Sequence, residues 1–106
     1  MEIDGLSPDQ PIDINELGGK QSATPYAFHL IPPHAMFALA KVVAEGDTKY
    51  GRLNWKLIDT DSQIGHALQH IYAFLAGDKS DMHLSHAICR LCFALEIEIT
   101  EGRARI

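Results

Sequence analysis

Asp59–Thr100 reads DTDSQIGHALQHIYAFLAGDKSDMHLSHAICRLCFALEIEIT, and the spacing within it decides the fold. Ile64, Leu68, Ile71 and Leu75 recur at steps of three and four, the repeat of one side of an α-helix. Asp59 or Asp61 suits the cap at the start of that helix, and Gly77 suits its end. The short connection from Asp78 to Asp81 follows, with Ser80 or Asp81 placed to cap a further helix from about Met82 to Glu98. Leu84, Ile88, Leu91, Leu95 and Ile99 form its stripe. A connection this short turns the two helices back on each other as an antiparallel hairpin. Phe93 and Ile97 lie opposite the main stripe, so the later helix is apolar on two sides. So short a chain has few elements to cover both, which predicts a homo-oligomer built around the hairpin.

Upstream, Pro33 to about Glu45 is a third helical run, with Met36, Leu39, Ala40 and Val43 on one side and Gly46 as its expected stop. Asp47 to Thr60 has no clean period and reads as a loop or a short helical turn, where functional residues are expected. Pro32-Pro33 marks a turn followed by a helix start. Residues 1–25 are polar and punctuated by Pro8, Pro11, Gly18, Gly19 and Pro25. They read as an irregular arm whose Ile12, Ile14 and Leu17 are available for docking. Gly102 ends the last periodic run and leaves a short basic tail. The expectation is an all-α protein, with an arm at 1–25 and a helical domain at 26–106.

The whole chain has 106 residues, 46% of them hydrophobic and 22% charged, an ordinary globular composition for one core. Its formal charge of −5 lacks the basic footprint of a duplex nucleic-acid binder, whereas a small anionic ligand needs only a local group of cations. No apolar run approaches the roughly 20 residues of a membrane span. Acidic residues at Glu2 and Asp4 do not suit a secretory signal, and two cysteines make no disulfide framework. A soluble cytoplasmic protein is expected.

Polar residues gather opposite the stripes. His66 and His70 are four apart on one helix, and His83, His86 and Arg90 follow at steps of three and four on the next. If these sides converge, they form a cationic or ligand-binding wall. Three readings stand open for them. They are hydrogen-bonded histidines without further role, a zinc site, or a pocket in which imidazole and guanidinium hold phosphate oxygens or stack on a base. Cys89-x-x-Cys92 lies mid-helix, away from the helix start that lowers a redox thiol's pKa, so packing is the better reading. A helical Mg²⁺-dependent pyrophosphohydrolase needs carboxylates on adjoining helices, and no Glu-x-x-Glu occurs. Asp78 and Asp81 are the candidates for one hydrated Mg²⁺, with helix capping as the plainer alternative.

Five blocks occur in a familiar order. They are Gly18-Gly19-Lys20-Gln21-Ser22; Phe28-His29-Leu30-Ile31-Pro32-Pro33-His34-Ala35; Glu45 to Gly51 with Asn54-Trp55; His66 to Asp78; and His83-Leu84-Ser85-His86-Ala87-Ile88-Cys89-Arg90. Together, over about Gly18 to Glu98, they resemble the phage-type dATP/dGTP diphosphohydrolase N-terminal domain family. The resemblance implies a helical phage or prophage protein of the host cytoplasm, tied to purine deoxynucleotides. The longer members carry this domain ahead of a separate MazG-like catalytic part.

On the matching positions, the resemblance implies that Trp55 or Tyr50 offers a face to a purine, against the alternative that Trp55 is a buried anchor. Lys49, His70, His86 and Arg90 would bind phosphates, and Asn54 would read a base edge or a ribose hydroxyl. Asp81 would orient His83 or His86 or hold a metal, and Gln21 and Ser22 would close over the ligand. The function expected first is binding or sequestration of a purine nucleotide, including an immune signalling nucleotide, with no cofactor required. The second is Mg²⁺-dependent release of pyrophosphate from dATP or dGTP, and the third is a structural role.

Overall fold

The computed structural model describes Glu2–Ile106. These residues form two compact units divided between Pro32 and Pro33. The first contains strands β1 (Ile12–Ile14) and β2 (Lys20–Ser22), paired antiparallel with Ile12 opposite Ser22, Asp13 opposite Gln21 and Ile14 opposite Lys20. The expected irregular arm is therefore corrected: a small hairpin stands within it. Asn15 closes the turn, its side-chain oxygen accepting from the amides of Leu17 and Gly19 at 2.9 Å each. Gly18 there takes φ +81°, a left-handed conformation that glycine adopts without steric cost. The Tyr26 hydroxyl donates to the Asp4 carbonyl, tying the ends of this unit together. Ile12, Ile14 and Leu17 are exposed.

The second unit holds three helices, α1 (Pro33–Tyr50), α2 (Thr60–Leu75) and α3 (His83–Thr100). α1 runs through Gly46, the expected stop, and ends instead where Gly51 takes φ +99° and donates to the Asp47 carbonyl at 3.0 Å. A glycine inside a helix weakens it by about 1 kcal/mol without breaking it, and the stop falls where the left-handed turn is made. Lys49 and Tyr50 thus sit on the last turn of α1, not in a loop. A 3-10 turn at Asn54–Leu57 then leads to α2.

Asp59 caps α2, accepting from the Ser62 amide at 3.1 Å and the Ser62 hydroxyl at 2.7 Å. Its far end closes on Gly77 at φ +83°. There Asp78 N–H bonds to Ala73 and Gly77 N–H to Phe74, both at 3.0 Å, so carbonyls left over by the helix are satisfied. The same pattern recurs at the end of α3, from Arg103 to Glu98 and from Gly102 to Ile99. The cap of α3 differs from expectation. Met82 holds the cap position without a side-chain bond, and Asp81 accepts from the Met82 amide at 2.7 Å.

The hairpin is the expected one, but its stripes lie mostly on the outside: Ile64, Ile71 and Ile99 are half-buried and the other stripe residues are exposed. Gln63 and Ala67 of α2 and His83, Ala87 and Ala94 of α3 are buried, while Leu68, Leu75, Leu84, Ile88, Leu91 and Leu95 are exposed. Alanine at the contact line lets two helices approach closely, and the polar side chains between them satisfy one another. Phe93, expected on an uncovered second side, stacks on Trp55 at 4.9 Å between ring centroids and 4° between planes. Ile97, beside it, is half-buried. The apolar surface left uncovered on α3 is the main stripe itself.

Candidate functional site

The Schellman-type end of α2 swings Asp78 directly beneath the first turn of α3. His83 is buried there, with Nε2 2.6 Å from Asp78 Oδ2 and Nδ1 2.9 Å from His70 Nδ1 on α2. The ring of His86, one turn further along α3, stacks on His70 at 4.9 Å and 17°. Its Nε2 lies 3.3 Å from Asp81 Oδ1. Three histidines and two aspartates thus meet at the closed end of the hairpin. This is the convergence on which the sequence reading of His70, His83 and His86 depended.

Proton accounting gives the cluster a direction. The Asp78 carboxyl is lowered to about 2, first by the Ser80 hydroxyl that bonds it at 2.5 Å and then by His83. It is therefore ionised at neutral pH, and the proton between it and His83 is carried on His83 Nε2. One further proton lies between the two facing Nδ1 atoms. In the neutral pair it belongs to His70, which donates to His83 and keeps a lone pair on its own Nε2. Burial, then the neighbouring His86 and His83, push the His70 pKa below its ordinary value, so that neutral form is the resident one. The Asp81 carboxyl is also lowered, chiefly by the Met82 amide and then by the histidines around it.

A second polar group adjoins the first. Arg90 Nη1 donates to Gln63 Oε1 at 3.0 Å, and Gln63 Nε2 donates to the Trp55 carbonyl at 3.3 Å. Gln63 has 0% exposure. It is the residue that reading the sequence for charges and large apolar side chains missed. Its signal was positional: Gln63, Ala67 and His70 fall at steps of four and three on one side of α2.

The remaining candidates scatter. His66 is exposed on α2. Trp55 is half-buried, one face covered by Phe93, with the Lys56 ammonium 5.7 Å from its ring. Asn54 opens that turn. Lys49 lies 5.0 Å over the ring of Tyr50, which is itself largely exposed. Gln21 and Ser22 belong to β2 of the first unit. Among the described residues, no three His, Cys, Asp or Glu side chains are grouped as metal ligands. Asp78 and Asp81 are engaged instead by Ser80, His83, Met82 and His86. Each carboxylate bonds through one oxygen, Asp78 by Oδ2 and Asp81 by Oδ1. Cys89 is buried, its thiol pKa raised by burial and then by Cys92, whereas Cys92 is exposed. Among the described residues, no helix is long and apolar enough to cross a membrane.

No match was found among curated proteins or among solved structures. A family model does match, described as dATP/dGTP diphosphohydrolase, N-terminal, and it covers residues 15–105, which include β2, all three helices and the whole histidine cluster. The chain therefore belongs to the dATP/dGTP diphosphohydrolase N-terminal family.

Proposed function

We propose that this protein binds a purine nucleotide through its phosphates at the closed end of the α2–α3 hairpin. The observation that carries the reading is the convergence of His70, His83 and His86 beside Arg90, within a family whose name concerns dATP and dGTP. Arg90 spends one nitrogen on Gln63, and its remaining donors suit two phosphate oxygens at once. His86, held by Asp81 at Nε2, keeps Nδ1 for a ligand. Asp78, bonded to His83, offsets the charge that His70 acquires when an anion draws a proton onto it. Sequestration of a purine nucleotide, including one that signals in host immunity, is the role that such a site would serve without turnover.

One observation favours a hydrolytic reading of the same site. The resident neutral His70, aligned by Asp78 through His83, presents a lone pair suited to taking a proton from water. Attack of that water on the α-phosphorus of a deoxynucleoside triphosphate would break the bond to the β-phosphate, leaving a monophosphate and pyrophosphate. Titration calorimetry with dATP and dGTP, run beside a pyrophosphate-release assay with and without Mg²⁺, tests both readings. Binding with the nucleotide recovered intact supports sequestration, and pyrophosphate over many turnovers supports hydrolysis. His86→Ala should weaken affinity by about tenfold, one charge-assisted hydrogen bond's worth. Absence of binding to either nucleotide at millimolar concentration overturns the proposal.

A further inference from the structure

One side of the α2–α3 hairpin is apolar and open. Leu84, Ile88, Leu91 and Leu95 follow one another along α3 at steps of four, three and four, and their exposures are 50%, 40%, 43% and 55%. Each stands one position beyond a residue at the contact with α2, namely His83, Ala87, Arg90 and Ala94. On α2, Leu68 likewise stands one position beyond the buried Ala67, and Leu75 continues its line one turn and three residues on. In an antiparallel pair the same rotational offset on both helices points to the same side, so these six side chains form one surface.

Its size separates it from ordinary surface leucines. The six side chains present roughly 500 Å² of apolar area, at the upper end of the largest patch on a typical monomer and a large part of the ~800 Å² that each partner contributes to a standard interface. The whole chain exposes 8649 Å². Two separate compact bodies of the lengths of its two units would expose only about 7,000 Å² together. Roughly 1,650 Å² of surface is left over, about twice the ~800 Å² that one chain gives up in a standard interface.

We propose that this open side of the α2–α3 hairpin packs against the same side of a second copy of this chain, forming a dimer about a two-fold axis. The alternating steps of four and three are the seam spacing by which helices pack side chains into one another's holes. The seam contains no Asp, Glu, Lys or Arg, so two identical copies meet without opposing like charges, as a two-fold contact requires. The inference stands apart from nucleotide binding, since none of the six residues belongs to the histidine cluster.

Sedimentation velocity of the full chain across the micromolar range tests it, beside Leu91→Glu and Leu84→Glu variants whose helicity is checked by circular dichroism. The wild-type chain is expected to sediment as a dimer. Each substitution should raise the dimer dissociation constant by about a hundredfold, because it places a charge in a desolvated seam. Leu84 lies in the first turn of α3, where an acidic residue favours the helix, so that variant keeps the test alive if Leu91→Glu fails to fold. A monomeric wild-type chain overturns the proposal, whether its open side stays bare or carries a different protein. A dimer that both folded variants leave intact overturns it as well.

Discussion

Replacing Gln63 with leucine probes the interior on which the cluster rests. Gln63 is wholly buried, accepts from Arg90 at 3.0 Å and donates to the Trp55 carbonyl at 3.3 Å. A hydrogen bond with a charged partner contributes about 1.5–3 kcal/mol and a longer neutral one about 0.5–1 kcal/mol. Leucine fills most of the space and returns about 1 kcal/mol through its apolar surface. The net loss for Gln63→Leu is about 2 kcal/mol, a fall in Tm on the order of 10 °C for a domain of this length. Urea denaturation at fixed protomer concentration measures it, since association would otherwise move the midpoint. The decisive comparison is with Arg90→Met and with the double variant. If the two side chains are bonded as described, the double variant loses about 1.5 kcal/mol less than the sum of the singles. Additivity within about 0.3 kcal/mol would refute the pairing.

Three further outcomes follow from the same coordinates. Asp59→Ala removes the cap of α2 and should cost about 1 kcal/mol in chemical denaturation, whereas Asp61→Ala, whose carboxylate caps nothing, should cost less. Stability should fall on acidification in two stages. The folded-state pKa of His70 lies below its ordinary 6.5, so the fold binds that proton less readily than the unfolded chain and loses stability as pH drops below 6.5. The Asp78 contribution is present above 3.8 and is lost as pH falls from there towards 2. Denaturation curves across this range, with His70→Gln expected to flatten the upper stage, measure both. Thiol labelling of the native protein should modify Cys92 at once, and Cys89 only as the fold opens. Equal rates at the two would contradict the burial of Cys89.

The hairpin was legible because its signals are local. Asp59 capping, the glycine at 77 and helical periodicity each act within a few residues, and each appears where the sequence places it. Which side of each helix faces its partner was not legible from periodicity. Leucine stripes mark an apolar side without saying whether it meets the neighbouring helix or something beyond it, and here the alanines and polar residues took the inner side. The β-hairpin was hidden for a related reason. Three-residue strands carry almost no alternation, and their turn at Asn15–Gly19 reads in sequence as a linker. The histidines were found by spacing, and the pairing of His83 with Asp78 depended on the tight closure at Gly77, which only the folded backbone displays.

The histidine–aspartate cluster and the adjoining Gln63–Arg90 pair are all supplied by one helix–turn–helix segment. Such a segment forms its internal bonds across short loops, early in folding and without waiting for distant parts of the chain. Of the bonds described, only that from Gln63 to the Trp55 carbonyl leaves the segment, so changes elsewhere in the chain leave the histidine wiring in place.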